Sequence, residues 1–338
     1  MKRESLRSGL LSFKKCDLET DIYFSDEYIS LYLNENEDIF SFNYREENHY
    51  FVNKTIKRAI KKIGNVEVED GFYDLESAYG YGGFYSNSED SEFLKRAFKS
   101  YEKKCVEEGV IAEFIRFHPF NNFSVKNQEF LDFNLYDRDV VVKDLRENVY
   151  ASYSAKVRNT VKRASEKTLF RESENVDKFK LLYDETMRKN SANNFYFFSK
   201  EYYKKLLKNK KIKLYELLYE SEVVAMGIFM FSDTVAHYHL SANTATSYSI
   251  NANYALLHNV FEVAKSMGVE YFLLGGGSTP FPDDSLLKFK KKFSKELKPF
   301  YIAGKIYNRE VYDRYNMLWD TQSREEVKYF LKYRLEIK

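Results

Sequence analysis

His237 and His239 stand two residues apart in the segment VAHYHLSAN. On a strand, alternation places both with Ser241 on one face and Tyr238 with Leu240 on the other. Such a pair has three readings. It can ligate zinc, although no third ligand at family-like spacing follows. It can be a pair of hydrogen-bonded sheet residues. Or one imidazole can act as a general base, since it titrates near neutrality and takes a proton from an attacking ammonium. Asn243 closes the same strand, and SINANYALL then offers Ser249, Asn251 and Asn253 at a helix start, where free N–H groups and the dipole favour an anion such as a phosphate or pyrophosphate. Simple N-capping by Asn251 explains the same pattern. Gly275 and Gly276 open the run GGGSTP, in which glycines make a turn or let a substrate backbone or phosphate come close. Phe289 and Phe293 lie one helical turn apart, with Lys290 just after the first; a lysine at a crevice can steady the oxyanion formed when an amine attacks an acyl carbonyl. No phosphate loop of the G-x-x-x-x-G-K-[ST] type is present, which argues against a nucleotide triphosphatase.

The elements that must position these residues read as a strand, a helix and a second strand. VAHYHLSAN is followed by the polar loop TATSYSI, the helix NANYALLHNVFEVAKSMG, the strand VEYFLL, and then the glycines. A crossover ending in a glycine cluster builds a crevice outside the strand ends. The first half repeats this layout: a strand over Tyr79–Tyr85, a helix stopped at Gly109 as the other is at Gly268, and the strand VIAEFIRF. Equal spacing over a whole unit suggests a structural duplication. Between the halves, VVV reads as a strand and SYSAKVRNTVKRA as a helix. Two more helices and a strand meander, LYELLYE and VVAMGIFMF, lead back to VAHYHLSAN. The tail from Val311 reads as helical and holds the single Trp319. No Gly/Ser- or Pro-rich linker separates the halves, so they are expected to share an interface.

Composition narrows the class. The chain has 338 residues, 29 Tyr, 29 Phe and four Pro, and a net charge of +2. That length favours two domains. Near-neutral charge argues against DNA or any non-specific coating of nucleic acid, although basic runs occur at 156–167, 204–213 and 288–298. Tyrosine abundance suits half-wet clefts, and base composition explains it equally well. Cys16 and Cys105 make neither a disulfide framework nor a cysteine metal site. The basic start has no apolar core and no run is long enough to span a bilayer, so the expected location is cytoplasmic, with the membrane's inner face as a working place.

In order and spacing, SAKVRNTVKRA, AMGIFMF, HYHLSAN, NANYALLHNVFEVAKSMGVEYFLLGGG and LLKFKKKF resemble the FemABX-like branch of the GNAT acyltransferase superfamily. YGYGGFYS and FIRFHPF are similar to relatives from envelope-polysaccharide gene clusters. The resemblance spans about Tyr79 to Lys298. It implies an α/β fold of two tandem GNAT-like domains around a shared cleft: residues 1–150, residues 151–310, and a helical tail, 311–338, with the first domain as its candidate packing partner. It also implies a Phe-Lys pair at the acyl-transfer point, here Phe289-Lys290, and an Arg followed by a Tyr on a nucleotide-sugar diphosphate, nearest in Arg188 and Tyr196. Two departures stand out. Gly82-Gly83-Phe84 and Ser86-Asn87 replace the Gly-Pro and acidic residue of peptidoglycan-type members, and the pyrophosphate loop of acetyl-CoA enzymes is missing before Asn253.

The resulting expectation is an N-acyltransferase of surface-glycan assembly. It moves an acyl group from an activated donor, acyl-CoA favoured, to the amine of a nucleotide- or lipid-linked amino sugar, without a metal. Lys290 steadies the oxyanion and His237 or His239 removes the proton. Tyr79, Tyr81, Gly82 and Gly83 shape the acceptor side, Arg188 and Arg158 meet phosphates, and Ser241, Asn243, Asn251, Asn253, Gly275 and Gly276 face the donor. One rival is an aminoacyl-tRNA-dependent enzyme of FemX type, which requires the basic stretches 156–167 and 288–298 on one surface. Another is a glycan- or nucleotide-binding protein without chemistry.

Overall fold

The computed structural model describes residues 18–337; Cys16 and the basic start lie outside them. The first half contributes strands β1 (Glu37–Glu46), β2 (His49–Ala59), β3 (Tyr73–Glu76), β4 (Val110–Arg116) and β5 (Phe133–Asp144), with helix α1 (Ser91–Glu107) between β3 and β4. The second half runs α2 (Ala155–Ser165), β6 (Leu169–Glu172), α3 (Val176–Lys189), α4 (Lys200–Leu206), β7 (Ile212–Tyr219), β8 (Glu222–Phe231) and β9 (Val235–Asn243). It continues as α5 (Ala245–Ile250), α6 (Ala252–Ser266), β10 (Tyr271–Gly275), α7 (Ser285–Lys290), β11 (Glu296–Ile306) and α8 (Arg309–Asp320).

These strands form one continuous sheet in the order β1-β2-β3-β4-β11-β5-β10-β9-β8-β7-β6. Two pairs are parallel and occupy equivalent places: Tyr73 opposite Val110 in β3–β4, and Val235 opposite Tyr271 in β9–β10. The last strand of each half crosses to the other. β5 lies against β10, with Val142 opposite Leu273, and β11 lies against β4, with Ile302 opposite Arg116. β5 and β11 then pair with each other at the centre. Separating the halves therefore means breaking ladder hydrogen bonds, which couples them more tightly than a side-chain interface does.

Each half is a sheet layer covered on both faces. α1 starts at Asp90, whose carboxylate accepts from the N–H groups of Glu92 and Phe93, and it buries Phe93, Leu94, Ala97, Phe98, Tyr101 and Cys105 against β1–β4. α6 buries Ala255, Leu256, Val260, Phe261 and Ala264 with α2 over β7–β10. Gly109 (φ +68°) and Gly268 (φ +85°) stop the two helices in left-handed turns. Leu256 is fully buried, and Leu256→Ala is expected to cost about 2–5 kcal/mol. α8 places Val311, Tyr315 and Trp319 on Ile60, Ile111 and Phe114 of the first half.

Three sequence readings change. The strand expected over Tyr79–Tyr85 is the irregular stretch after β3, and the strand itself is Tyr73–Glu76. Ser249 lies in no loop: TATSYSI forms α5, capped by Thr244. The segment from Leu18 to Leu33, unassigned in sequence, packs Ile22, Tyr23, Tyr28 and Ile29 on the second half against Met226, Ile228 and Tyr203.

Candidate active site

β9 and β10 stay paired only from Val235–Tyr271 to His237–Leu273, and beyond that the two strands separate. The gap opens toward Tyr238–Asn243 on one side and Leu274–Gly277 on the other. Lys290, from the last turn of α7, enters it. Its Nζ donates to the Gly276 carbonyl at 2.7 Å and stands 5.6 Å from the centre of the Tyr238 ring. The lysine is 7% exposed, and burial, with Arg138 nearby, brings its ammonium down to about 7. Asp284 works in the opposite direction, but that carboxylate is engaged as the α7 cap and by Thr279.

The glycines make this approach possible. Gly275 adopts φ +77°, and a Cβ there would lie 3.4 Å from Lys290 Nζ and 4.0 Å from the Tyr81 hydroxyl. A Cβ on Gly276 would strike Arg138, whose Nη1 donates to the Gly277 carbonyl. Arg138 comes from β5, the exchanged strand, and sequence reasoning missed it. Lys290 Nζ, the Tyr81 hydroxyl and the Tyr238 ring thus converge on one point of the opening.

The histidines are arranged differently from the alternation rule. β8 and β9 pair Ile228 with Leu240 but Phe229 with Tyr238, so His239 is an extra residue in a β-bulge. His239 and Leu240 therefore both turn to the face that carries His237, and Ser241 lies against the Tyr238 hydroxyl on the other. The shared face expected for His237, His239 and Ser241 holds for the histidines alone.

Each histidine is held through Nε2, while His237 Nδ1 has no hydrogen-bond partner among the described residues. His237 Nε2 meets Asp21 at 2.7 Å, with both residues buried. His239 Nε2 meets the Tyr202 hydroxyl at 3.0 Å, and a hydroxyl chain continues through Tyr32 to Tyr28, which donates to the Tyr79 carbonyl. Burial pushes His239 down to about 3, so it is a weak base at neutral pH. Asp21, His118 and His237 place ligand atoms within 4.8 Å of one another. Their types suit a transition metal, but the Phe120 N–H donates to His118 Nδ1, leaving the proton on Nε2. In that tautomer His118 presents a donor or an occupied nitrogen, and the set does not fit a metal without moving.

The remaining candidates fall into two groups. Around the opening, Tyr79 is ringed by Phe195, Tyr196, Phe198 and His239 at 5.7–6.4 Å, and Tyr81 packs on Tyr23, His118 and Phe300. Asn253 Nδ2 donates to Asn243 Oδ1 at 2.5 Å, joining the start of α6 to the end of β9. Asn251 is left-handed (φ 58°), and its side chain makes no capping bond. Phe289 packs on Tyr254 and Phe293 rather than toward Tyr81.

Gly82 and Gly83 are buried backbone spacers. Gly82 bridges to Phe117, and a Cβ on Gly83 would strike Ile115 and Phe117. Arg158 is turned to the carbonyls of Ala151 and Tyr153, and Arg188 is exposed beside Asp184. Gly80 was overlooked at this mouth as well: at φ +100° it lets the chain lie directly on the Tyr23 ring.

Residues 151–283 match the acetyltransferase (GNAT) domain family. The second half is a GNAT domain, and the protein is an acyltransferase. Over nearly its whole length the chain has the fold of FemX, a solved structure similar at 12% identity with a TM-score of 0.68, covering 90% of this chain and 95% of that one. A conserved protein from Bacteroides thetaiotaomicron is similar at 12% identity and a TM-score of 0.53, over 86% of this chain and 91% of its own. L-PGS from Bacillus licheniformis is similar at 16% identity and a TM-score of 0.50, over 80% and 85%. No curated protein matches the chain in sequence. The fold is thus α/β with two tandem GNAT-like halves, as the sequence resemblance implied. Among the described residues no helix is long and apolar enough to cross a membrane.

Proposed function

We propose that the protein is an N-acyltransferase acting on the amine of a nucleotide- or lipid-linked amino sugar in surface-glycan synthesis, with acyl-CoA as the favoured donor. The observation that carries this reading is the buried Lys290 ammonium, with a pKa near 7, held across the opening between β9 and β10. The donor lies along that opening, where separated strand edges offer unpaired backbone groups, and its phosphates approach the start of α6 near Asn243 and Asn253. The amine attacks the acyl carbonyl, the carbon becomes tetrahedral, and the thiolate or ester oxygen leaves as the carbonyl re-forms. Neutral Lys290 accepts the proton that the attacking nitrogen sheds and, as the ammonium so formed, donates to the oxyanion. This gives the lysine the proton step expected of His237 or His239, which are engaged by Asp21 and Tyr202. Tyr79 and Tyr81 shape the acceptor side, with Tyr196 at its rim.

A second reading, transfer from aminoacyl-tRNA, is supported by one observation. Val157 and Val161 of α2 and Leu287 and Phe293 beside α7 enter the same core around α6, so the basic stretches 156–167 and 288–298 flank one helix on one side of the sheet. Calorimetric titration distinguishes the donors. Saturable acetyl-CoA binding supports the first reading. Silence with acetyl-CoA and binding of charged tRNA supports the second. Binding of neither, with no acyl transfer, leaves a glycan- or nucleotide-binding protein.

A further inference from the structure

One cavity among the described residues lies away from Lys290, between the Leu18–Leu33 segment and the end of α4. It measures about 570 Å³, within the range of small-molecule sites. Its floor is apolar: Ile22, Leu206 and Ile212 are each no more than 2% exposed. Its rim is cationic, with Lys205, Lys208 and Lys211 against a single acidic group, Glu27. Lys211 pairs with Asp233. Lys205 and Lys208 have no acidic partner among the described residues. Lysines at a helix C-terminus are favoured by its dipole, and that role needs no cavity; an apolar hollow beneath unpaired ammonium groups is a different arrangement.

Apolar floor and cationic rim are the chemistry of an anionic amphiphile. A lone phosphate has no use for Ile22 and Leu206, and a neutral lipid has none for the lysines. The cavity also adjoins the proposed acceptor side. Tyr28 forms part of its wall, and the hydroxyl of that tyrosine donates to the Tyr79 carbonyl at 2.8 Å. Tyr202, which meets His239, lies one turn before Leu206 on α4.

We propose that this cavity seats the phosphate and first chain carbons of a lipid phosphate, with Lys205 and Lys208 on the phosphate. The proposal rests on the acceptor class given above and narrows it from nucleotide- or lipid-linked to lipid-linked. Its test reads binding without turnover, so a failed acyl-transfer assay leaves it standing and failed binding leaves the transfer reading standing.

The experiment titrates the full chain with short-chain, water-soluble dihexanoyl phosphatidate, using inorganic phosphate and dihexanoyl phosphatidylcholine as comparison ligands. Saturable binding of phosphatidate is expected, with each comparison ligand weaker by about tenfold or more. Lys208→Glu is expected to weaken it about tenfold or more, while Lys210→Glu, an exposed neighbour outside the lining, leaves it within about threefold. Both are surface changes, and unchanged circular dichroism confirms folding. No binding overturns the proposal. So does phosphate binding as tightly as phosphatidate, which marks a bare anion site, or equal loss in the two variants, which marks diffuse surface charge.

Discussion

Replacing Lys290 with methionine separates a functional lysine from a structural one without knowledge of the substrate. Methionine fills a similar volume but does not titrate. Burial lowers the lysine from 10.5 to about 7 in the folded protein. The unfolded chain therefore binds the proton more readily between these values, and wild-type stability rises with pH across that window. The burden of burying this group is about 4 kcal/mol at pH 7, about 2 kcal/mol at pH 9 and close to zero by pH 10.5. Against it stands the lost hydrogen bond to the Gly276 carbonyl, which leaves that group unsatisfied at about 1–3 kcal/mol. Lys290→Met is thus expected to be more stable than wild type at pH 7 by about 1–3 kcal/mol, with the advantage vanishing between about pH 8 and 10. Urea unfolding at pH 7, 8, 9 and 10 gives the difference directly. A variant less stable than wild type at pH 7, or a difference that does not shrink with pH, refutes the reasoning, because the lysine then titrates alike in both states.

Other outcomes follow from the same structure. Glu113 is fully buried and accepts from Asn53, Tyr101 and Tyr307, and burial raises it to about 7 against their pull. Its stabilisation is complete below the unfolded carboxylate value of 4.5 and is lost as pH rises to about 7, so Glu113→Gln is expected to flatten the stability profile between about pH 4.5 and 7 in urea titrations. Arg334 holds the chain end to buried Asp74 and to the carbonyls of Arg58 and Ala59. Arg334→Ala is expected to cost about 3 kcal/mol and to expose the tail to proteolysis. Gly275→Ala strains a left-handed residue and crowds Lys290; a loss of about 1–2 kcal/mol with a larger fractional loss of acyl transfer is expected, read by melting and by rate.

Much of the site was legible because it is local. Lys290, the glycines, α6 and the strand before it sit within one stretch, where period, caps and glycine stops are sequence properties. The meander was legible for the same reason, and so was the tail's helix as far as Asp320; beyond it residues 321–331 hold no helix, against the expectation of a helical tail over 311–338. What escaped depends on long-range pairing. Nothing in DRDVVVKD announces that β5 leaves its own half, so Arg138 could not be placed at the glycine cluster. Asp21, Tyr23 and Tyr28 lie far in sequence from the histidine strand they cover, and only tertiary contact brings Asp21 to His237. The bulge at His239 inserts one residue into a ladder whose alternation otherwise looks regular, and a register shift of one reassigned Ser241 to the other face. Arg158 and Gly83 illustrate the converse: residue types that suit phosphate or substrate contact were drawn into backbone support.

Lys290 is proposed to serve acyl transfer at the opening between β9 and β10. Mass spectrometry of nucleotide- and lipid-linked amino sugars, incubated with acetyl-CoA or charged tRNA and either wild type or Lys290→Met, tests it most directly. The expected result is acceptor mass rising by one acyl group with wild type, and a rate lower by about 100-fold or more with the variant. Undiminished transfer by Lys290→Met contradicts it.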